Sequence, residues 1–514
     1  MARRQANKAI PLFNEALGLD PENPDIRFQL GSVARLQGDL KLALTHLLYC
    51  LEKTPERPEV WIRISEVMSY SRNYREAVAL MQRGVERHPQ NGRIWWRYGR
   101  MLRYNGAHES AFNALQKAVT AQGVRIGAGY DLALTFLAMG EVPKARRALK
   151  SIRDAARQEL HGMSASALLE QMQDPALEEA PEARRVAFHM KSKFHQAILA
   201  PGWQACRAMH QTLLTHDVEE ILAHAPDVVV ACDSQLVSMR RLIPDVSFVN
   251  TRHGLASKQH SASNAGSADY LCVASEEQAQ WLRDRGIEPR KAIWPIGYLQ
   301  MDPLFRGDVV PIPTGARDGM PVILFAPTIH ETVSAMPMLG EDPVAAMRPA
   351  AYDAFMIIKP HPELPQRHPE WMERLVVAAA LHENVMLVTD THVPIDRYLA
   401  AADLLVTDCS SVMFQYLPLD RPLVLLSNPA RIGTNERYDP EGPEWTWRQI
   451  GEEVHDVAAL PAAVIHALAG PGVRSKERAT CLRAMFGAFT DGKSGERLAK
   501  RIAALPRPST APIF

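Results

Sequence analysis

Cysteine is scarce in this sequence, and the charges of the two signs cancel. The chain of 514 residues has six cysteines, none in a C-x-x-C pair, which excludes a zinc site of that type and a disulfide framework. Lysine plus arginine and aspartate plus glutamate both number 58, so the formal net charge is zero. A basic surface over the whole chain is therefore not expected, and we predict no nucleic-acid partner.

Long apolar runs are absent as well. No stretch of about 18 apolar residues could span a bilayer, and the N-terminal segment lacks the apolar core of a signal peptide. These absences predict a protein of the reducing cytoplasm. A chain of this length exceeds one hydrophobic core, so about two to four domains are expected.

An internal repeat runs through the first 160 residues. Small and turn-forming residues recur every 34 positions: Ala9, Ala43, Ala77, Ala111 and Ala145, with Pro21, Pro55 and Pro89. A unit of this length is a helix pair, and its alanine lets the helices approach closely. The period resembles the tetratricopeptide repeat. It predicts an all-α solenoid over residues 1–160 that begins inside a repeat. Such a solenoid is expected to bind a partner, and whether the repeats also form an oligomer stays open.

Four arginines of the repeat region fall on one helix face: Arg93, Arg97, Arg100 and Arg103. Two interpretations stay open, a solvated face or a docking groove for an anionic polymer or lipid headgroups. Residues 161–183 are acidic, contain two prolines and are interpreted as a linker or an irregular connecting helix.

Residues 184–500 alternate short apolar runs with helical stretches, one of which contains residues 203–222. Such runs, rich in β-branched residues, predict parallel sheets covered on both faces. The runs form two clusters separated by a Pro/Gly-rich segment, so we predict two doubly wound α/β domains, 184–310 and 311–500, followed by a tail at 501–514. Ligands of such sheets bind beyond the carboxyl ends of the strands.

Polar residues follow several of these strands. After residues 246–250 come Arg252, His253, Gly254 and Lys258; after the other strands come Thr328, then Lys359 and His361, then Asp408, Ser410 and Ser411. The serine pair opens a predicted helix, whose N-terminus could hold a phosphate. Simple capping of that helix by Ser410 or Asp408 explains the same residues.

Five segments resemble the CDP-glycerol glycerophosphotransferases, the teichoic-acid and capsule polymerases with a GT-B fold. They are RHGLASK (252–258), GYLQMD (297–302), FAPT (325–328), IIKPHP (357–362) and AADLLVTDCSSVMFQYLPLDRPLVLL (401–426). The resemblance covers about residues 185–500. Arg252, Cys409 and the pair Ile329–His330 depart from the family's usual residues.

The resemblance implies a transfer of glycerol phosphate from CDP-glycerol to a hydroxyl of a polymeric or lipid-linked acceptor, with release of CMP. It places the acceptor on domain 184–310 and the donor on domain 311–500. His253 is the expected general base. Donor-phosphate contacts are expected from His361, Ser410, Ser411, Thr328 and Lys258, with Asp408 orienting its neighbours or the donor and with Lys359 and Arg252 in support.

Gly254 would let the backbone approach the ligand. No D-x-D motif lies near these strands, so neither a metal nor a further cofactor is predicted. A cytoplasmic location at the inner face of the membrane, with peripheral membrane contact, agrees with such an acceptor. Two alternatives remain: a GT-B glycosyltransferase that uses a nucleotide sugar, and a repeat scaffold with a degenerate transferase module.

Overall fold

The computed structural model describes residues 2–121, 123–173, 183–232, 236–256, 265–348, 353–390, 393–432 and 438–506. Lys258 and most of the predicted tail lie outside these residues. Within them, no helix is long and apolar enough to cross a membrane.

The described part of the repeat region is all-helical. Its helices are α1 (Ala2–Leu19), α2 (Pro24–Gln37), α3 (Leu40–Lys53), α4 (Pro58–Tyr70), α5 (Tyr74–Arg87), α6 (Gly92–Tyr104), α7 (His108–Val119), α8 (Arg125–Ala138), α9 (Val142–Ala155) and α10 (Leu160–Gln171). Each helix packs on the next along the chain, and their apolar faces form three core clusters. The predicted solenoid is confirmed.

The 34-residue period is also visible in the contacts. Trp61 donates its indole N–H to the carbonyl of Pro55 at 2.8 Å, and Trp95, one period later, donates to Pro89 at 2.8 Å. Gly31 lies against Leu47, where an added Cβ would come within 2.7 Å of the leucine side chain. The repeated residues therefore fix the distance between helices, as the spacing predicted.

The first sheet has six parallel strands in the order β2-β1-β3-β4-β5-β6. These are β1 (Arg185–His189), β2 (Gln211–Thr215), β3 (Val228–Ala231), β4 (Ser247–Asn250), β5 (Tyr270–Val273) and β6 (Ala292–Pro295). Between them lie α11 (His195–Arg207), α12 (Val218–His224), α13 (Leu236–Leu242) and α14 (Glu276–Asp284), followed by the short α15 (Asp302–Arg306). Separate apolar clusters cover its two faces.

The second sheet also has six parallel strands, in the order β12-β11-β10-β7-β8-β9. These are β7 (Val322–Phe325), β8 (Phe355–Ile358), β9 (Val385–Leu387), β10 (Leu404–Thr407), β11 (Leu423–Leu426) and β12 (Glu452–Val454). Its helices are α16 (Pro343–Met347), α17 (Leu364–Arg367), α18 (Pro369–Leu381), α19 (Asp396–Ala401), α20 (Val412–Gln415), α21 (Pro443–Thr446), α22 (Leu460–Ala469) and α23 (Ser475–Phe486). Two parallel-sheet α/β domains are thereby confirmed.

Three predicted boundaries differ from the structure. Strand β2 interrupts the helical stretch expected at 203–222, because residues 211–215 pair with β1 along a sheet edge. Most of residues 160–171 were expected in a linker or an irregular connecting helix; they form the regular helix α10, which packs on both α9 and β2. The last helix, α24 (Ser494–Ala503), returns to the first sheet domain and packs on α11, although the sequence assigned residues up to 500 to the second.

The return of α24 has a local cause. Leu498 and Ile502 are fully buried against α11, because they share one helix face. Asp302 accepts hydrogen bonds from the backbone N–H groups of Ser494 (3.1 Å) and Gly495 (2.9 Å), which satisfies the start of the helix. The GYLQMD segment thus ends on a residue that holds the last helix in place.

The arginine row of α6 is neither a solvated face nor an open groove. Arg97 is 8% exposed and donates to both carboxylate oxygens of Glu219, at 2.7 and 2.8 Å. Glu219 lies in the first turn of α12, in the first sheet domain. Only Arg93 of the row is well exposed, at 58%. Both sequence interpretations are therefore wrong for Arg97.

Arg100 and Arg103 are buried in the same interface. Arg100 contacts Asp131 at 2.8 Å and Asp217 at 2.5 Å, and Arg103 contacts Asp131 at 2.9 Å. Asp217 caps α12, so the arginines meet the acidic N-terminus of that helix. The row joins the repeats to the first sheet domain.

Candidate functional site

A cleft of about 300 Å³ lies between the two sheet domains. Its walls include six of the residues singled out in the sequence: His253, Thr328, Lys359, His361, Ser410 and Ser411. The second sheet reverses its strand order between β7 and β10, and parallel sheets bind ligands at such a reversal. The structure therefore brings these side chains to the place that the topology favours.

His253 lies on the side of the first domain. Its Nδ1 is 3.3 Å from the carbonyl oxygen of Cys232, which can only accept a hydrogen bond. In the neutral ring Nδ1 therefore carries the proton and Nε2 carries the lone pair. Phe194 packs against the ring, with centroids 6.1 Å apart. This arrangement gives His253 the tautomer that a general base requires.

His361 lies opposite, after β8, and has the other tautomer. Its Nδ1 accepts a hydrogen bond of 3.2 Å from the backbone N–H of Glu363. Nε2 must then carry the proton in the neutral ring, so His361 can donate a hydrogen bond through Nε2. A donor suits contact with phosphate oxygens rather than removal of a proton.

Asp408 organises the loop after β7 and does not line the cleft. It is fully buried, and its carboxylate accepts hydrogen bonds from the N–H of Thr328 (3.1 and 2.9 Å) and of Ala335 (3.0 Å). Its backbone carbonyl accepts from Arg448 at 2.8 Å. Asp408 therefore fixes where Thr328 lies in the wall.

The two serines have different surroundings. The hydroxyl oxygen of Ser411 accepts hydrogen bonds from the N–H groups of Leu255 (3.0 Å) and Ala256 (3.2 Å), and thereby joins the two sheet domains. The Ser410 hydroxyl lies 3.4 Å from the N–H of Val412, a weak capping contact. The expected helix is shorter than predicted: α20 has four residues, because Pro418 soon follows. Phosphate binding here would depend on side chains more than on a helix dipole.

Lys359 contributes a buried positive charge to the cleft wall. It is 4% exposed, and burial lowers its pKa to about 8, opposed in part by the Asp390 carboxylate. A lysine with such a pKa is still mainly charged at neutral pH and is poorly hydrated. It can therefore stabilise an anionic group strongly.

Arg252 and Gly254 flank His253 without lining the cleft. Arg252 is buried and has a φ of +62°, a left-handed conformation that turns the chain after β4. Its N–H donates to the side-chain oxygen of Asn250 at 2.9 Å, which supports the turn. Arg252 therefore orients the loop that carries His253.

Sequence reasoning missed several residues of the cleft. Gln300 and Gln415 come from the two domains and meet across the wall at 3.4 Å. Arg367 also lines it. His330, which the sequence already marked as a departure from the family's usual residues, lies in the same wall. Arg367 is the last residue of α17, the short helix that follows the IIKPHP segment, and that proximity was the available signal. No group of three His, Cys, Asp or Glu residues suited to a metal ion occurs in the described part of the chain.

Comparison with known proteins gives the following. A sequence profile described as CDP-Glycerol:Poly(glycerophosphate) glycerophosphotransferase matches residues 165–504, and a tetratricopeptide-repeat profile matches residues 1–58 and 69–124. Curated proteins gave no match.

Two solved structures illustrate the similarity of each part. The wall teichoic acid polymerase TagF is 13% identical, with a TM-score of 0.47, over 74% of this chain and 98% of that one. YrrB, a TPR protein with an unusual peptide-binding site, is 18% identical, with a TM-score of 0.28, over 32% of this chain and 84% of that one.

Proposed function

The chain belongs to the CDP-glycerol:poly(glycerophosphate) glycerophosphotransferase family, and on that premise we propose which residues carry out the transfer. The reaction moves a glycerol-phosphate unit from CDP-glycerol to a hydroxyl of a cell-surface polymer and releases CMP. One observation carries the assignment of roles: His253 and His361 line one cleft with opposite tautomers, fixed by Cys232 and Glu363.

The acceptor side belongs to His253. The acceptor hydroxyl attacks the β-phosphorus of the donor, its oxygen forms the new O–P bond, and the bond from that phosphorus to the oxygen of CMP breaks. The proton of the hydroxyl passes to Nε2 of His253, while the Nδ1–H of the same ring stays hydrogen-bonded to the carbonyl oxygen of Cys232. Histidine is the side chain that most often exchanges a proton near neutral pH.

The donor side belongs to the second domain. His361 donates through Nε2–H, Lys359 supplies positive charge, and Ser410 adds a hydroxyl donor to the diphosphate. Charge that develops on the transferring phosphoryl group is stabilised by such pre-positioned donors. Thr328 belongs to the same wall, held there by Asp408.

The repeats contact the first sheet domain, which is the proposed acceptor side. We assign to them the guidance of the polymer or its lipid anchor toward His253, from the cytoplasmic face of the membrane. The buried ion pairs of Arg97 and Arg100 support this role, because they hold the repeats against that domain. Substituting exposed residues of the repeats in the full chain should then reduce activity with long acceptors more than it reduces hydrolysis of the donor.

The donor is tested by incubating the full chain with CDP-glycerol and, in parallel, with nucleotide sugars. We expect CMP release that depends on CDP-glycerol and on an added polymeric acceptor. Release of a nucleotide from a sugar donor alone would favour a glycosyltransferase instead. Absence of nucleotide binding would favour a scaffold with an inactive transferase module.

A further inference from the structure

Two glutamines meet in the wall of the cleft between the sheet domains. Gln300 belongs to the GYLQMD segment of the first domain, and Gln415 is the last residue of α20 in the second. The side-chain nitrogen of Gln415 donates to the carbonyl oxygen of Gln300 at 3.4 Å, and the hydroxyl of Tyr298 donates to the same oxygen at 3.3 Å. We name Gln300 and Gln415 the amide pair. The proposed steps of the transfer do not use it.

The contact leaves two groups of the amide pair available. The side-chain nitrogen of Gln300 and the carbonyl oxygen of Gln415 have no hydrogen-bond partner among the described residues. Neither atom is sealed from solvent, although Gln415 as a whole is only 6% exposed. Exchanging nitrogen and oxygen in both amides leaves the same two groups, because one amide then still donates to the other. The amide pair therefore offers one donor and one acceptor to the cleft.

Holding the two domains together does not explain the amide pair. A strong N–H···O bond is about 2.9–3.0 Å long, and the contact of the pair is longer. Ser411 already joins the domains through the N–H groups of Leu255 at 3.0 Å and Ala256 at 3.2 Å. Polar side chains that converge in the wall of a cleft and retain bonding capacity are suited to orienting a ligand.

The segments that carry the amide pair bring no charged residue to the described lining of the cleft. Apart from the histidines, the titratable residues of that lining all follow β8: Lys359, Glu363 and Arg367. Near the pair, α11 packs on the short helix 299–301 and supplies the apolar side chains of Ala197 and Ile198. The part of a ligand that lies here is therefore uncharged, with C–H groups against α11 and polar groups against the amides.

Two adjacent hydroxyl groups fit this arrangement. One hydroxyl can donate to the carbonyl of Gln415, and its neighbour can accept from the amide nitrogen of Gln300. A glycerol unit esterified at one end carries two such hydroxyls at the other, away from its phosphate. Ser410, proposed to hold the donor diphosphate, lies about one helical turn before Gln415. The amide pair is thus placed for the uncharged end of a unit whose phosphate lies at the serine.

We propose that the amide pair binds the vicinal hydroxyl groups of glycerol and is the subsite by which the enzyme recognises this unit. The inference rests on the proposed function and goes beyond it, because the roles of the histidines, the lysine and the serines do not distinguish glycerol from another alcohol. The diol can belong to the glycerol of the donor or to the terminal glycerol of the acceptor. Separate arms of the test distinguish these two sources.

The donor arm compares CDP-glycerol with the propyl ester of CDP, which keeps both phosphates and lacks the two hydroxyls. In calorimetry on the full chain, wild type should bind CDP-glycerol about tenfold more tightly, because the ester leaves the amide groups unpaired. Gln300→Met and Gln415→Met keep the side-chain length and remove the amides. The double variant should bind both compounds equally, with unchanged affinity for the ester. Gln366→Met, at an exposed position outside the lining, is the matched control and should keep the preference.

The acceptor arm measures the KM for a poly(glycerophosphate) acceptor at saturating CDP-glycerol. A raised KM in the double variant, with no preference for CDP-glycerol over the ester in wild type, assigns the subsite to the acceptor's glycerol. An unchanged preference together with an unchanged KM would overturn the proposal. So would an equal loss of affinity for both donors with a lowered melting temperature, which marks a domain contact alone. Absence of CMP release from CDP-glycerol by wild type would refute the proposed function and the subsite with it, whereas normal release with unchanged preference and KM refutes the subsite alone.

Discussion

The substitution Arg97→Met tests whether the repeats and the transferase module form one body. Arg97 donates to both oxygens of Glu219, at 2.7 and 2.8 Å, and to the hydroxyl of Ser65 at 3.0 Å. Methionine has a similar length but no charge, so the variant leaves the carboxylate of Glu219 buried without its main partner. Burial alone would raise the pKa of Glu219, and Arg97 with Arg100 lowers it instead to about 2.

The expected cost follows from what remains around Glu219. Breaking a buried ion pair by removing one partner costs about 3–5 kcal/mol. Arg100 stays 3.1 Å from Glu219, and the hydroxyl of Ser69 still donates to it. We therefore expect the lower end, about 3 kcal/mol, and that cost should raise the equilibrium constant for opening of the interface about a hundredfold.

Hydrogen exchange of the amides of α12 measures this opening locally, which matters because a chain of several domains does not unfold in one step. Arg93→Met is the matched control, because Arg93 lies on the same helix but forms a long, exposed ion pair with Glu59 at 3.8 Å. Its effect on the free energy of opening should stay below about 0.5 kcal/mol. The double substitution Arg97→Met with Glu219→Leu should recover most of the loss. Unchanged exchange of α12 in Arg97→Met would refute the closed interface.

Two further predictions concern single groups. Burial raises the pKa of Glu220 in the folded chain from its ordinary value of 4.5 to about 8. Between these two pH values the unfolded chain releases a proton that folded Glu220 retains, so this residue lowers stability as pH rises. The melting temperature of Glu220→Gln should therefore fall less than that of wild type between pH 5 and pH 8.5. Ser410→Ala should weaken CDP-glycerol binding about tenfold, as expected for a hydrogen bond to a charged group, with no change in melting temperature. Ser411→Ala should lower the melting temperature, because the N–H groups of Leu255 and Ala256 lose their acceptor; calorimetry and thermal unfolding on both serine variants check the pair, and identical behaviour would contradict the separation of roles.

Local patterns predicted most of the fold. Ala43 and Ala77 are fully buried between helices, as a 34-residue helix pair requires. The residues after β7, β8 and β10 converge because the carboxyl ends of parallel strands meet at one edge of the second sheet, and the residues after β4 reach the same cleft from the first sheet. Such arrangements follow from period and connectivity, which a sequence displays directly.

Long-range partners could not be predicted. Arg97 looks solvated on its own helix, because Glu219 lies 122 residues away along the chain. The tautomer of His253 depends on a carbonyl 21 residues earlier, and Asp302 caps a helix 192 residues later. These contacts depend on how three domains pack, and no local pattern records them.

The central claim is that His253 removes the acceptor's proton and His361 holds the donor. Calorimetric affinity for CDP-glycerol and the rate of acceptor-dependent CMP release, measured on His253→Ala and His361→Ala, test it most directly. We predict that His253→Ala keeps donor affinity nearly intact and loses about 10²–10⁴ in turnover, whereas His361→Ala loses donor affinity as well as rate. Normal turnover in His253→Ala, or lost donor affinity in His253→Ala with intact affinity in His361→Ala, would contradict the assignment.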